Sequence, residues 1–311
     1  MVQNINLSYG SEILLGFKKG KIAAPLTTIY ANIGDKCIFD CSFCARAKHS
    51  NAKDGYISRI VWEGNPTEEI LNRVKGSGAK RFCLQVVNYD NVINDLVEFI
   101  DLYEKMEVGL PLSISYRPLI KKEIDILFDR KKDLTIGIAL DAANPTLYSL
   151  IRKGDMETQK KYIRYAKEHY GNVTTHIMVG LGENDKDIYD LLIEMYSMEV
   201  SVGMFAFTPI KGTKMENHKP PEISRYRKLQ ILHYIIKNNM GIKPVFNENG
   251  DLEGFDSPVK SIIEEGEAFR TTGCPDCNRP YYNEKPNGII YNYPYNPKKE
   301  SRSIYSEIEL K

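Results

Sequence analysis

The sequence predicts an α/β protein, a partial (β/α)6 barrel of parallel strands followed by an irregular C-terminal extension. Three observations predict it. From Thr27 to about Lys237, apolar runs of strand length alternate six times with polar stretches of helix length. A tight loop carrying three cysteines follows the first of these runs. Beyond about Met240 the alternation stops and Asn, Pro and Tyr take over. Strands that alternate with helices imply parallel pairing through right-handed crossovers. Six repeats are too few to close an eight-fold TIM-type barrel, so the barrel is expected to stay open.

In chain order, residues 1–24 read as a short leader, with an amphipathic piece near Ser11–Lys18 packed on the barrel exterior. The barrel itself spans 25–240. Its strands are expected at Thr27–Ile33, Arg81–Val87, Leu112–Tyr116, Leu134–Asp141, Val173–Leu181 and Val202–Pro209. Helices are expected at Thr67–Gly76, Asn91–Lys105, Ile120–Arg130, Pro145–His169, Asp185–Met198 and Glu222–Asn238. Asn65-Pro66-Thr67 and Asn144-Pro145 supply helix-start signals, because proline suits the first helical turn. Residues 241–311 read as an extension capping the barrel mouth, without a separate folded domain.

Composition narrows the function. A chain of 311 residues with 42% hydrophobic and 27% charged residues can bury a large core. A net charge of +1 argues for neither a nucleic acid nor an anionic membrane as partner. No apolar run reaches membrane-spanning length, and Met1–Gly10 lacks the features of a signal peptide. A cytoplasmic protein is expected.

The six cysteines fall into two groups of three: Cys37, Cys41 and Cys44, then Cys83, Cys274 and Cys277. The first trio has the spacing C-x3-C-x2-C. Three thiolates on one short loop can hold three irons of a [4Fe–4S] cluster and leave the fourth iron open to a small ligand. Zinc normally closes four protein ligands, and here only His49 stands nearby as a fourth. Structural thiols are the remaining alternative. On a barrel, chemistry gathers at the C-terminal ends of the strands. There the scheme places Cys37–Cys44, Cys83 within strand two, Arg117, Asp141, Gly180–Glu183 and Pro209–Thr213.

The cysteine loop, with Phe43 just before its third cysteine, resembles the radical S-adenosylmethionine (SAM) superfamily. The resemblance implies that SAM chelates the open iron and that one electron from the cluster releases a 5′-deoxyadenosyl radical. That radical takes hydrogen from an unactivated carbon while the protein supplies geometry and dryness. Val179-Gly180-Leu181-Gly182-Glu183 is glycine-rich at a strand end and is otherwise an ordinary turn. It resembles the superfamily segment that lies against the adenine of SAM. Asp141 reads either as a helix cap or, by the resemblance, as a partner of the ribose or substrate. Arg152 would be a surface arginine, but its position resembles that of the arginine pairing with the SAM carboxylate. Arg117 joins Phe43, Asp141, Arg152, Val179, Gly180, Gly182 and Glu183 as a candidate cofactor contact.

Cys83 in Arg81-Phe82-Cys83, Val-Gly-Leu-Gly-Glu at 179–183 and Pro-Ile-Lys-Gly-Thr at 209–213 resemble biotin synthase. Where that enzyme has further cluster cysteines, this chain has Ser113-Ile-Ser115-Tyr116-Arg117 and His176-Ile-Met. The Cys274-Pro-Asp-Cys277-Asn-Arg279-Pro280 stretch resembles the split, two-protein lipoyl synthase. By that resemblance Cys83, Cys274 and Cys277 hold a second, auxiliary [4Fe–4S] cluster that donates sulfur. Arg302-Ser303-Ile304-Tyr305 echoes the tail of single-chain lipoyl synthase and offers Ser303 as the fourth ligand. The implied partners are a lipoyl carrier bearing octanoyl-lysine, a second radical SAM subunit, and a reducing ferredoxin or flavodoxin. The alternatives are biotin synthase, a methylornithine-synthase-like or cofactor-maturing enzyme, and a non-catalytic Fe–S carrier.

Overall fold

A computed structural model describes residues 2–22, 24–57, 60–279 and 288–308. Its strands are β1 (Asn4–Leu7), β2 (Thr28–Ile33), β3 (Tyr56–Ile57), β4 (Ile60–Val61), β5 (Glu63–Pro66) and β6 (Arg81–Val86). They continue as β7 (Leu112–Ser115), β8 (Thr135–Gly137), β9 (Val173–Val179), β10 (Ser201–Ala206), β11 (Pro244–Phe246) and β12 (Leu252–Phe255). The main sheet runs β10-β9-β8-β7-β6-β2-β1-β5. Strands β2 and β6 to β10 run parallel to one another, so the partial barrel of parallel strands is present as expected. Strand β2 is buried at every position, as a parallel strand covered on both faces requires.

Helices at Thr67–Val74, Val92–Lys105, Lys121–Arg130, Met156–Tyr170, Asp185–Ser197 and Ile223–Lys237 return the chain after each strand. Each turns an apolar stripe to the sheet, as Leu96, Phe99, Ile100 and Tyr103 do in Val92–Lys105. Among the described residues no helix is long and apolar enough to cross a membrane.

The structure departs from the sequence expectations in three places. The leader is more than an external helix. Its β1 pairs antiparallel with both β2 and β5, extending the sheet, while Tyr9–Leu14 forms the helix. Ile5 and Leu7 bury completely enough to anchor a strand only four residues long. The single helix expected from Pro145 is broken. After Pro145–Leu147 comes a π-turn, Tyr148–Arg152, closed by Lys153 at φ 56°, and Asp155 caps a fresh helix. The π-turn points Arg152 inward, and such turns recur at functional sites.

The extension is also more ordered than expected, and one segment of it lies at the opposite end. Strands β11 and β12 form a hairpin. Ile262, Ile263, Phe269 and Ile304 build a second apolar cluster against Ile231 and Ile235 of the last barrel helix. The segment 272–278 then crosses the N-terminal ends of the barrel strands. Thr28 Oγ1 donates to the carbonyl of Asp276 at 2.9 Å, and Arg81 Nε to that of Pro275 at 2.8 Å. Thr28 and Arg81 are the first residues of β2 and β6. This segment therefore floors the barrel, while the hairpin of the extension reaches the rim after β9, where Lys186 N donates to Gly250 O at 2.9 Å and Leu252 N to Asp185 Oδ2 at 2.8 Å.

Candidate active site

The Cys37–Cys44 loop leaves the C-terminal end of β2 and is pinned by backbone bonds to three other parts of the rim. Ile38 N donates to Asn88 O and Ser42 N to Ile151 O, both at 2.8 Å, while Asn51 N donates to Gly212 O at 2.8 Å. Gly212 needs its bare Cα, because at φ +87° a Cβ would lie 2.4 Å from the Asn51 backbone. The loop also folds on itself through Cys37 N to Arg46 O and Cys44 N to Cys41 O. All three cysteines are free thiols and line one cavity of about 250 Å³. Burial pushes the Cys44 thiol up to about 12 and raises that of Cys37. Thiols so placed become thiolates only against a strong positive charge such as a metal.

Arg152 lies beneath this loop. Its NH1 is 3.5 Å from Cys41 Sγ and 3.1 Å from Asp141 Oδ2, and its NH2 donates to Ala139 O at 3.1 Å. Arg117 stacks on Phe39 at 3.9 Å and donates from NH1 to Arg152 O at 3.0 Å. Burial lowers the Arg117 pKa, and the neighbouring Arg152 lowers it further. Arg46 lines the same cavity. Its NH1 bonds Asp35, but the buried Nε and NH2 have no partner among the described residues.

A second cavity of about 220 Å³ lies towards the barrel floor and is lined by Cys83, Cys274 and Cys277. Cys83 sits in the middle of β6, below the rim where the sequence scheme put it, with Tyr30 and Ser113 as its register partners. The 272–278 segment brings the other two thiols up to it. Cys274 Sγ lies 3.8 Å from Ser113 Oγ and 3.7 Å from Thr174 Oγ1, and Cys277 Sγ lies 3.5 Å from the Tyr30 hydroxyl. His176 lines this cavity too, and burial lowers its pKa to about 4. Among the described residues no three His, Cys, Asp or Glu side chains converge as a single metal ion would need. The two cavities share Phe43, Gln85, Ser115, Ala139 and Met178, so one interior runs from the cysteine loop to the floor.

The structure thus gathers Cys37, Cys41, Cys44, Phe43, Arg117 and Arg152 at the upper cavity and Asp141 at the lower one. Other expected residues fall elsewhere. None of Val179, Gly180, Gly182 and Glu183 lines either cavity. The Glu183 carboxylate folds back to accept from Gly180 N and Leu181 N, both at 2.8 Å, and pairs with Arg225 at 3.0 Å. Gly180 sits at φ +101°, where a Cβ would meet Pro221 Cδ at 2.9 Å, so packing explains the glycine. Ser303 is not at the lower cavity. It is exposed on the helix Ser301–Glu307, turned outward because Ile304 occupies the buried face. His49 is an exposed partner of Asp40. Part of the tail motif, 280–287, lies outside the described residues. Arg46 and His176 escaped sequence reasoning; Arg46's closeness to Cys44 was the one available signal.

The family model described as the radical SAM superfamily matches residues 31–194. The biotin synthase of Methanococcus vannielii is 26% identical over 217 residues, covering 68% of this chain and 62% of that protein. The biotin synthase of a Psychrobacter species is 21% identical over 197 residues, covering 62% of this chain and 53% of that protein. These matches span between half and two-thirds of the relatives' own length. In fold, the chain is similar to a methylornithine synthase, with TM-score 0.54 and 17% identity, covering 74% of this chain and 66% of that one. It is also similar to the FeFe-hydrogenase maturase HydG of Carboxydothermus hydrogenoformans, with TM-score 0.53 and 16% identity over 74% and 56% of the two chains. The matched region runs from β2 through the cysteine loop to the helix after β9, and on that ground the chain belongs to the radical SAM superfamily, whose members use a [4Fe–4S] cluster and S-adenosylmethionine.

Proposed function

We propose that this enzyme inserts sulfur into an octanoyl chain held as an amide on the lysine of a carrier protein. The observation that carries this reading is the pair of cysteine trios facing one interior across a shared waist. Cys37, Cys41 and Cys44 fit the superfamily's cluster, being three free thiols that line one cavity. Cys83, Cys274 and Cys277 fit an auxiliary cluster in the same way. When bound, the first cluster and SAM supply a radical able to take hydrogen from an unactivated carbon, and the second cluster supplies sulfide.

The residues of the chain do the rest. Phe43, Ala139 and Met178 give the waist an apolar side suited to an aliphatic chain lying between the two sites, with Gln85 and Ser115 as its polar members. The floor segment lines the lower cavity through Thr272, Cys274 and Cys277. Arg152 and Arg117 offer charged forks at the upper cavity, where a carboxylate of SAM could be held. A lipoyl carrier, a second radical SAM subunit and a reducing ferredoxin or flavodoxin are the partners this activity needs, in a reducing cytoplasm. Nothing in the net charge of +1 calls for nucleic acid or membrane.

The test is anaerobic iron and sulfide content after reconstitution, on wild type and on the C37A/C41A/C44A variant. About eight irons falling to about four is the expected outcome. An octanoyl-lysine peptide should then be thiolated by wild type and not by Cys274→Ala. Four irons falling to none would remove the auxiliary cluster and the sulfur-donor role with it. The similarity to biotin synthases favours a second reading, in which dethiobiotin is the substrate. Turnover of dethiobiotin in place of the octanoyl peptide would establish it.

A further inference from the structure

We infer that His176 is the fourth protein ligand of the iron–sulfur cluster proposed at Cys83, Cys274 and Cys277. The inference rests on the auxiliary-cluster reading and adds to it the side chain that completes the site.

Placement comes first. On a strand, residues two apart share a face and stand about 6.6 Å apart along it. Thr174, two residues before His176 on β9, lies 3.7 Å from Cys274 Sγ. A cubane bonded to Cys274 therefore sits beside the next inward position on β9, which is His176. The neighbouring strand fixes the same relation from the side. Gly203 of β10 pairs in register with His176. A Cβ on Gly203 would lie 2.9 Å from His176 Cδ2 and 3.2 Å from the Thr272 carbonyl, while Gly203 Cα is 3.4 Å from the Cβ position of Gly273. The bare Gly203 thus lets the Thr272–Cys274 backbone settle against β10 beside the imidazole. Phe205 holds the ring edge-on, with centroids 5.4 Å apart.

Elimination points the same way. Several of the other polar side chains around the trio are engaged. Ser113 Oγ receives Arg81 NH1 at 2.9 Å, the Tyr30 hydroxyl receives Arg279 N at 2.6 Å, and Gln85 Oε1 receives Arg279 NH2 at 3.2 Å. Asp141 is paired with Arg152, and Thr28 Oγ1 is given to Asp276 O. Among the described residues none hydrogen-bonds either ring nitrogen of His176, although the ring lines the cavity. An imidazole nitrogen is a good iron ligand. In place of a fourth thiolate it makes the cluster less negative and raises its reduction potential.

The experiment uses the full-length C37A/C41A/C44A variant, which can hold only the floor cluster. Reconstituted anaerobically and reduced, it is examined by pulsed EPR with and without 15N-histidine labelling. A directly bonded nitrogen should appear as a strong hyperfine coupling that changes with the label and disappears in the added His176→Ala variant. His176→Cys should retain the iron, lose the coupling and titrate at a lower potential than the parent. Iron present with no label-sensitive nitrogen, or an unchanged spectrum in His176→Ala, overturns the histidine ligand and leaves the auxiliary cluster standing. A triple variant that binds no iron overturns the auxiliary cluster, and the histidine ligand with it. Should His176→Ala fail to fold, the labelled parent and His176→Cys decide the matter.

Discussion

Arg152 touches Cys41 and Asp141 at once, so one guanidinium links the cysteine loop to the lower cavity. Burial alone would lower its pKa, but Cys41 and Asp141 beside it hold the charge in place above the ordinary value. A lysine could keep the charge but not the fork that reaches Asp141, Ala139 O and Cys41 together. Arg152→Lys is therefore expected to weaken SAM binding by about 10–100-fold, the usual penalty for losing an oriented neighbour of a metal site. Equilibrium dialysis of SAM against the anaerobic, reconstituted protein measures it, and an unchanged affinity would dismiss the role. At this scale the sequence was legible wherever function is local. Three cysteines within eight residues declare themselves through spacing alone. His176 and Arg46 do not, because their meaning depends on what stands across the barrel. Ser303 misled for the converse reason, since a short tail motif carries no information on which face of a helix it will occupy.

Among the elements, the helix Ile223–Lys237 has two partners, and its weak amphipathy reflects that. One side meets the barrel, while Ile231 and Ile235 enter the extension's own apolar cluster. Between them Arg227 is fully buried. It donates to Gln230 Oε1, to the carbonyls of Ile290 and Tyr291, and to Glu307 across 2.9 Å. Removing it takes the donor from the Ile290 carbonyl and Gln230 Oε1 and breaks the ion pair with Glu307, while the Tyr291 carbonyl keeps Gln230 Nε2 at 2.9 Å. Arg227→Ala is expected to cost about 3–5 kcal/mol, read as a lowered urea midpoint, with proteolysis of the extension preceding that of the barrel. A midpoint within error of wild type would show that the extension is held by its apolar contacts alone. The six strand–helix repeats were readable because their periods are regular. The π-turn was not, since Tyr148–Arg152 keeps the helical pattern and only Lys153-Gly154 hints at a break. Strand β1 was hidden by its brevity.

The whole molecule is organised by contacts of very long sequence separation. Thr27 and Asp276 bond across 249 positions, and the lower site joins Cys83 to cysteines near the end of the described chain. Nothing in the composition of 241–311 distinguishes a roof from a floor, which is why the place of 272–278 at the base was not legible in the sequence. A cluster bridging Cys83 to Cys274 and Cys277 would act as a cross-link around most of the barrel. By loop-closure entropy such a link contributes about 5 kcal/mol, or roughly 8 °C in a protein of this size. Reconstituting the floor cluster should raise the melting temperature by that order in the C37A/C41A/C44A variant and not after a further Cys83→Ser change, as scanning fluorimetry under anaerobic conditions would record. The floor also fixes a timetable. A ribosome delivers the rim loop before five of the six parallel strands, but the segment that closes the base emerges only after every barrel strand has been made. A cluster at the base could therefore be assembled only after the last barrel strand has been made, by a donor that acts on a chain whose barrel is already complete.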